Sequence, residues 1–213
     1  MHIWTIQPIT VWQALRKELL LYVREDSLSY HGYIPPAYAW LQLQLAQRLS
    51  GYSGHLPWWS YCRKPDLRRH RHLRPTDATQ VRLELEIANE LVLRFPCWAW
   101  NRVFCQDYLA TTREEYEDWT RNLRQAVPDE DVWPLPQPWR SQLEASWERL
   151  FAPELPSLDW DEESLWSGRL SFEVVFEKLR LEDVCHVTVI KGRSQEEQDT
   201  KPPTEDAGPR DEK

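Results

Sequence analysis

The chain has 213 residues, of which 41% are hydrophobic, and a net charge of −8. That length builds one domain with a core of ordinary size, and no apolar run reaches the roughly 18 residues of a membrane span. The acidic balance excludes a general nucleic-acid coat, which needs a basic face overall.

From the N-terminus, His2 to Gln7 alternates. His2, Trp4 and Ile6 share one face, and Ile3, Thr5 and Gln7 share the other, so the segment reads as a first strand. Pro8 ends it. Thr10 and Gln13 have capping-box spacing and predict a helix to about Val23, with Val11, Leu15, Leu19 and Tyr22 inward. Pro35 and Pro36 suit the start of a second helix. It runs from Ala37 to about Leu49 and stops before Gly51. Leu56 to Cys62 reads as a short strand.

Residues 63–80 read as a loop bounded by Pro65 and Pro75. Arg63, Lys64, Arg68, Arg69, Arg71 and Arg74 are opposed there only by Asp66. Val81 to Ile87 is the clearest strand: Val81, Leu83, Leu85 and Ile87 alternate with Arg82, Glu84 and Glu86. Leu91 to Phe95 reads as a strand and Trp98 to Leu109 as a helix. Thr112 with Glu115 is a second capping box, and Tyr116, Trp119 and Leu123 mark one face of the helix beyond it. A proline-rich link, Pro128 to Pro138, leads to a helix with Trp139, Leu143, Trp147 and Leu150 on one face. Residues 152–168 are acidic and irregular. Strands around Phe172 to Phe176 and His186 to Ile190 close the domain.

The fold expected from this order is α+β, because strands and helices mix without strict alternation. It is one globular domain over 1–192, with a mixed sheet of about five or six strands packed by four or five helices. An acidic tail over 193–213 lacks core formers and reads as disordered. Cys62, Cys97, Cys105 and Cys185 contain no CxxC pair, which argues against a zinc ribbon or a disulfide framework and for small buried thiols. No secretory leader is legible, so the expected location is cytoplasmic, with no membrane partner.

Several segments resemble an uncharacterised bacterial family known as a domain of unknown function, DUF3841. They are Trp4-Thr5-Ile6-Gln7, Ala37-Tyr38-Ala39-Trp40, Lys64-Pro65-Asp66-Leu67-Arg68, Leu83-Glu84-Leu85-Glu86-Ile87 and Ser146-Trp147-Glu148-Arg149. Val174 to Val184 resembles the family's closing strand and turn. The chain departs from the family pattern at Ala88, where proline is usual, and at Arg94-Phe95-Pro96, where an acidic turn is usual. It departs again at Cys105-Gln106, where asparagines are common. The resemblance carries no activity with it.

Thirteen tryptophans supply large apolar surfaces, each with an N–H that needs a partner. In the basic stretch, Lys64, Asp66 and Arg68 offer a cation, an orienting carboxylate and a planar fork for phosphate or carboxylate. Trp58, Trp59 and Tyr61 just before them offer rings for stacking, and Tyr38 on the second helix joins the ligand-binding set. Thr5, Gln7 and Glu84 complete the expected ligand-binding set. Its ligand is an anionic, nucleotide-like small molecule, with NAD or another nucleotide as the cofactor class. Glu173 and Glu177 are the candidate catalytic carboxylates. Their order after a polar first-strand residue is similar to that of ADP-ribosyltransferases, in which a late glutamate stabilises an oxocarbenium-like centre. Thr5 stands where that superfamily usually has histidine or arginine.

Two further readings use the same residues: a non-catalytic RNA- or nucleotide-binding module, and a partner-binding protein of a bacterial defence or toxin system with tryptophan anchors. No Gly-rich phosphate loop, nucleophile elbow or HExxH occurs, which removes P-loop enzymes, serine hydrolases and zincins. His70 and His72 lie between arginines, which disfavours a metal cation, so no metal site is expected.

Overall fold

The computed structural model describes residues 1–24, 36–65, 79–128, 134–152 and 172–190. Its order is β1 (His2–Pro8), α1 (Ile9–Glu18), β2 (Leu20–Leu21), α2 (Pro36–Arg48), β3 (Trp58–Tyr61), β4 (Gln80–Glu86) and β5 (Val92–Pro96). Then come α3 (Cys97–Phe104), α4 (Arg113–Ala126), α5 (Trp139–Trp147), β6 (Phe172–Phe176), β7 (Leu179–Arg180) and β8 (Val184–Ile190). Six strands form one sheet in the order β5-β6-β3-β1-β4-β8, every neighbouring pair antiparallel; β2 and β7 pair separately. The α+β class follows directly. The proposed boundary at residue 192 and the tail lie outside the described residues.

The sheet has a core on each side. On one side Leu15 of α1 meets Ile3, Val81, Leu83, Leu85, Trp58, Val174 and Phe176. On the other, α2, α3 and α5 bring Trp40, Leu41, Leu45, Trp98, Trp100, Val103, Leu143 and Trp147 against Phe95 and Val175. The alternation of β1, β4 and β6 is what splits these residues between the two sides. Trp147 is 2% exposed, and its Nε1 donates to the Asp107 carbonyl at 2.8 Å, so the buried indole has its partner.

The expected element limits shift at three places. The Thr10 capping box does not form: Pro8 is the N-cap of α1, and no side chain caps it. The proline already holds the φ that a helix entrance needs, and Thr10 falls inside the first turn. The helix ends at Glu18, because Leu19 takes a left-handed φ of 67° and turns the chain into β2. α3 stops at Phe104, with Gln106 at φ 60° turning the chain away. Ser146 Oγ then accepts from Leu109 N at 3.0 Å, and Arg149 donates to Leu109 O at 2.9 Å, so side chains rather than a helix satisfy that stretch. The Thr112 cap does form, its side chain accepting from Glu115 N at 3.1 Å.

All four cysteines are free. Cys62 and Cys97 are half-buried, and Cys105 and Cys185 are exposed, which corrects the expectation of buried thiols. No helix among the described residues is long and apolar enough to cross a membrane.

Candidate functional site

Cross-strand register sets five side chains in a row on the face that α2 and α3 flank. Glu173 pairs with Phe95 on one side and Tyr61 on the other. Tyr61 is paired with Trp4, and Trp4 with Glu84. Directly paired side chains project to the same face. At about 4.8 Å per strand, Glu173 and Glu84 stand roughly 14 Å apart across three strand steps. That is wider than the roughly 5–10 Å at which two carboxylates share acid–base work on one bond. The row is therefore a floor of side chains across this face of the sheet rather than a catalytic pair.

The α2 end of this floor is aromatic and desolvated. Tyr38 lies edge-on to Trp59, Trp100 and Phe104, with centroids 6.0, 5.7 and 6.1 Å away. Trp59 and Trp100 are 5.0 Å apart. Burial pushes the Glu173 carboxyl above the usual glutamate range, and the Cys97 thiol, 3.5 Å from Oε1, opposes this only in part. Burial likewise raises the hydroxyls of Tyr38 and Tyr61, and the nearby Glu173 raises both further. These four groups therefore lie in one electrostatic neighbourhood. Trp59 Nε1 is buried without a hydrogen bond of normal geometry among the described residues, although it lies close enough to Tyr38 to moderate that hydroxyl's shift.

The far end of the floor is polar. Trp4 Nε1 donates to Glu84 Oε2 at 3.0 Å, His2 Nε2 lies 3.0 Å from Oε1, and the exposed Lys64 Nζ is 3.8 Å from Oε2. The Trp4 bond leads the effects that hold Glu84 below the usual range. Arg82 is 9% exposed on the same face and donates to Pro65 O at 3.1 Å and Thr188 Oγ1 at 3.3 Å. Pro65, in the basic stretch, is therefore anchored beside this floor. Asp66 and Arg68 lie outside the described residues.

Tyr38, Trp59, Lys64, Glu84 and Glu173, all expected from the sequence, come to this one face. Thr5 and Gln7 do not. Thr5 pairs with Leu83 and shares the α1 side with Ile3. It is 1% exposed, accepts from Gln7 Nε2 at 2.7 Å and donates to Trp59 O at 2.8 Å. Its polar group is consumed inside the protein. Glu177 also stands apart, just past the end of β6. Its carboxylate accepts from Ser53 N, Ser53 Oγ and His55 N at 2.9, 2.9 and 3.0 Å. The cavity beside it measures about 20 Å³, room for about one water. Sequence reasoning passed over Cys97 and gave Trp4 no role. Tyr61 was expected as a stacking ring, but its meeting with Glu173 depends on pairing strands far apart in sequence.

Among the described residues, no cluster of three or more His, Cys, Asp or Glu is arranged to hold a metal ion. Residues 2–167, well over half of the chain, match the family model described as "Domain of unknown function (DUF3841)". No curated protein and no solved structure matches the chain.

Proposed function

Because the chain belongs to the DUF3841 family, a domain of unknown function, no activity comes with its membership, and we propose from the geometry that it is a binding protein for a flat, nucleotide-type ligand. The ligand lies along the floor from Glu173 to Glu84. Its ring stacks at the aromatic end, and its anionic part faces Lys64 at the polar end. The single observation that carries this reading is the cross-strand row Glu173–Tyr61–Trp4–Glu84 against the Tyr38–Trp59 wall. Burial raises the Glu173 carboxyl, so it keeps its proton to higher pH than an ordinary glutamate, and while protonated it can donate a hydrogen bond to a ring edge.

Binding is favoured over ADP-ribosyl transfer for a geometric reason. That chemistry would use a polar first-strand residue and the late glutamate in one cleft, and Thr5 and Glu173 project from opposite faces of the sheet. A carboxyl that burial pushes towards its neutral form is also poorly suited to stabilising a developing cation.

The test is thermal stabilisation and tryptophan fluorescence of the full chain with AMP, ATP, NAD and a short single-stranded RNA. The expected result is saturable binding of a nucleotide that weakens as salt rises. Glu173→Leu, which removes the donor, and Tyr38→Leu, which removes the ring, should each reduce affinity by about tenfold, while Arg16→Gln on α1 should not. The absence of any response at millimolar nucleotide overturns the reading. Tight RNA binding with no mononucleotide binding replaces it with an RNA module.

A further inference from the structure

A second concavity opens at the end of the sheet, between the start of β1, the end of β3 and the start of β6. It encloses about 250 Å³ and is lined by Met1, His2, Cys62, Arg63, Arg94 and Phe172. Arg94 projects from β5 on the side where its partner Val174 is buried, away from the floor described above. Its guanidinium carbon sits 3.9 Å from the Phe172 ring centroid. A guanidinium laid on a ring at that distance has a fixed plane, so its N–H edge is aimed before a ligand arrives. Arg63 enters from the end of β3. Neither arginine has a carboxylate partner among the described residues, and the lining contains no Asp or Glu. Glu84, which contacts the lining residue His2, is also engaged with Trp4 and Lys64.

We infer that this cleft is a binding site for a small oxyanion of the phosphate class, held in a fork between Arg63 and Arg94 with Cys62 at its base. Three observations converge on it. Two guanidiniums reach the same water-accessible volume, with no acid paired to either among the described residues, so the local field there favours a bound anion. The volume is below the roughly 300–1,000 Å³ of clefts that enclose drug-sized ligands, which fits a free oxyanion or a phosphomonoester head rather than a dinucleotide. Burial also pushes the Cys62 thiol up, against the pull of Arg94 and Arg63, so the protein supplies no anion of its own between the two cations. The ordinary alternative is that two exposed arginines only cover apolar surface at the end of the sheet. That explains Arg94 on Phe172 but not the open volume shared with Arg63 and Cys62.

The experiment is phosphorus NMR of inorganic phosphate with the full chain at constant ionic strength, repeated with a sugar phosphomonoester. Saturable line broadening is expected. Arg63→Gln and Arg94→Gln should each weaken it by about tenfold or more, and the double variant should abolish it. Arg16→Gln should leave it unchanged. Equal affinity for the two ligands marks a free-anion site, and at least tenfold tighter binding of the ester marks a head-group site; either supports the inference. A measurement on the unmutated chain guards against misfolding of the variants: phosphate should slow alkylation of Cys62 by iodoacetamide, read by peptide mass mapping. Broadening that is absent at tens of millimolar phosphate, or indifferent to Arg63 and Arg94, overturns the site. So does Cys62 alkylation that phosphate leaves unchanged. Glu173→Leu should not affect this binding, so the two sites fail or succeed separately.

Discussion

Arg149, in the single turn that follows α5, reaches Glu115 in the first turn of α4 at 2.7 Å. Glu115 also accepts from Thr111 N at 2.8 Å and Thr111 Oγ1 at 3.0 Å. Burial alone would raise its carboxyl, but the Arg149 and Thr111 bonds outweigh burial and bring it down to about 2. A depressed carboxyl stabilises the fold above the usual glutamate range and loses that contribution as pH falls towards 2. Both side chains are about a third exposed, so solvent screening reduces the net effect to about 1–2 kcal/mol. Glu115→Gln should therefore lower stability by that amount in urea at pH 7, and most of the difference between wild type and variant should be gone at pH 2.5, the rest being lost below about pH 2. A constant difference at both pH values would show that the pair is not the source.

Thr5 is a structural residue on this geometry. Replacing it with valine leaves Trp59 O and Gln7 Nε2 without their partner in a position that is 1% exposed. Thr5→Val should cost about 1–3 kcal/mol in denaturant stability. Nucleotide affinity, corrected for the folded fraction, should stay within about twofold. A selective loss of affinity with stability intact would return Thr5 to the ligand-binding set.

The half-buried Glu173 carries the opposite pH signature to Glu115. Its carboxyl is raised by burial, so its contribution is fully present below the unfolded glutamate pKa and is lost as pH rises through the higher folded value. Glu173→Gln removes the cost of ionising a desolvated group. The variant should melt above wild type at pH 8 and alongside it at pH 4. A variant that melts below wild type at pH 8 would mean that the ionised form is well solvated there, and the donor role assigned to it would go with that result.

The legible parts of this chain are those with local periodicity. The strands at Val81 to Glu86 and Phe172 to Phe176 and the Thr112 cap follow from alternation and from one side chain reaching its own backbone. α2 follows from Pro36 at its start and Gly51, at φ 66°, just past its end. The paired segments Leu20–Leu21 and Leu179–Arg180 were not legible, because two residues contain no period. The first strand's alternation separated Thr5 from Trp4 correctly, but it could not say which face α1 would cover. The candidate site depends on Ser60 lying against Val174 and Tyr61 against Glu173, a register between segments more than a hundred residues apart. Arg94 stood out in the sequence as a departure from the family's acidic turn. Its place beside Cys62 and Arg63 required that same long-range pairing.

Glu177 was a candidate catalytic carboxylate, and its surroundings give it a different task. Its side chain is 5% exposed, and the loop from Ser53 to His55 donates two backbone N–H groups and one hydroxyl to it. Those bonds outweigh burial and hold its carboxyl below the usual range, so the anion acts as a clamp on the approach to β3. An amide at this position presents its NH₂ to donors and leaves at least one N–H without an acceptor. Glu177→Gln should cost about 2–3 kcal/mol, and the amides of Ser53 and His55 should lose hydrogen-exchange protection. Acid should have the same effect on wild type as the carboxylate protonates, because a depressed group contributes only above the unfolded pKa. If exchange at Ser53 and His55 is unchanged in the variant while nucleotide binding is lost, Glu177 serves the ligand and not the loop.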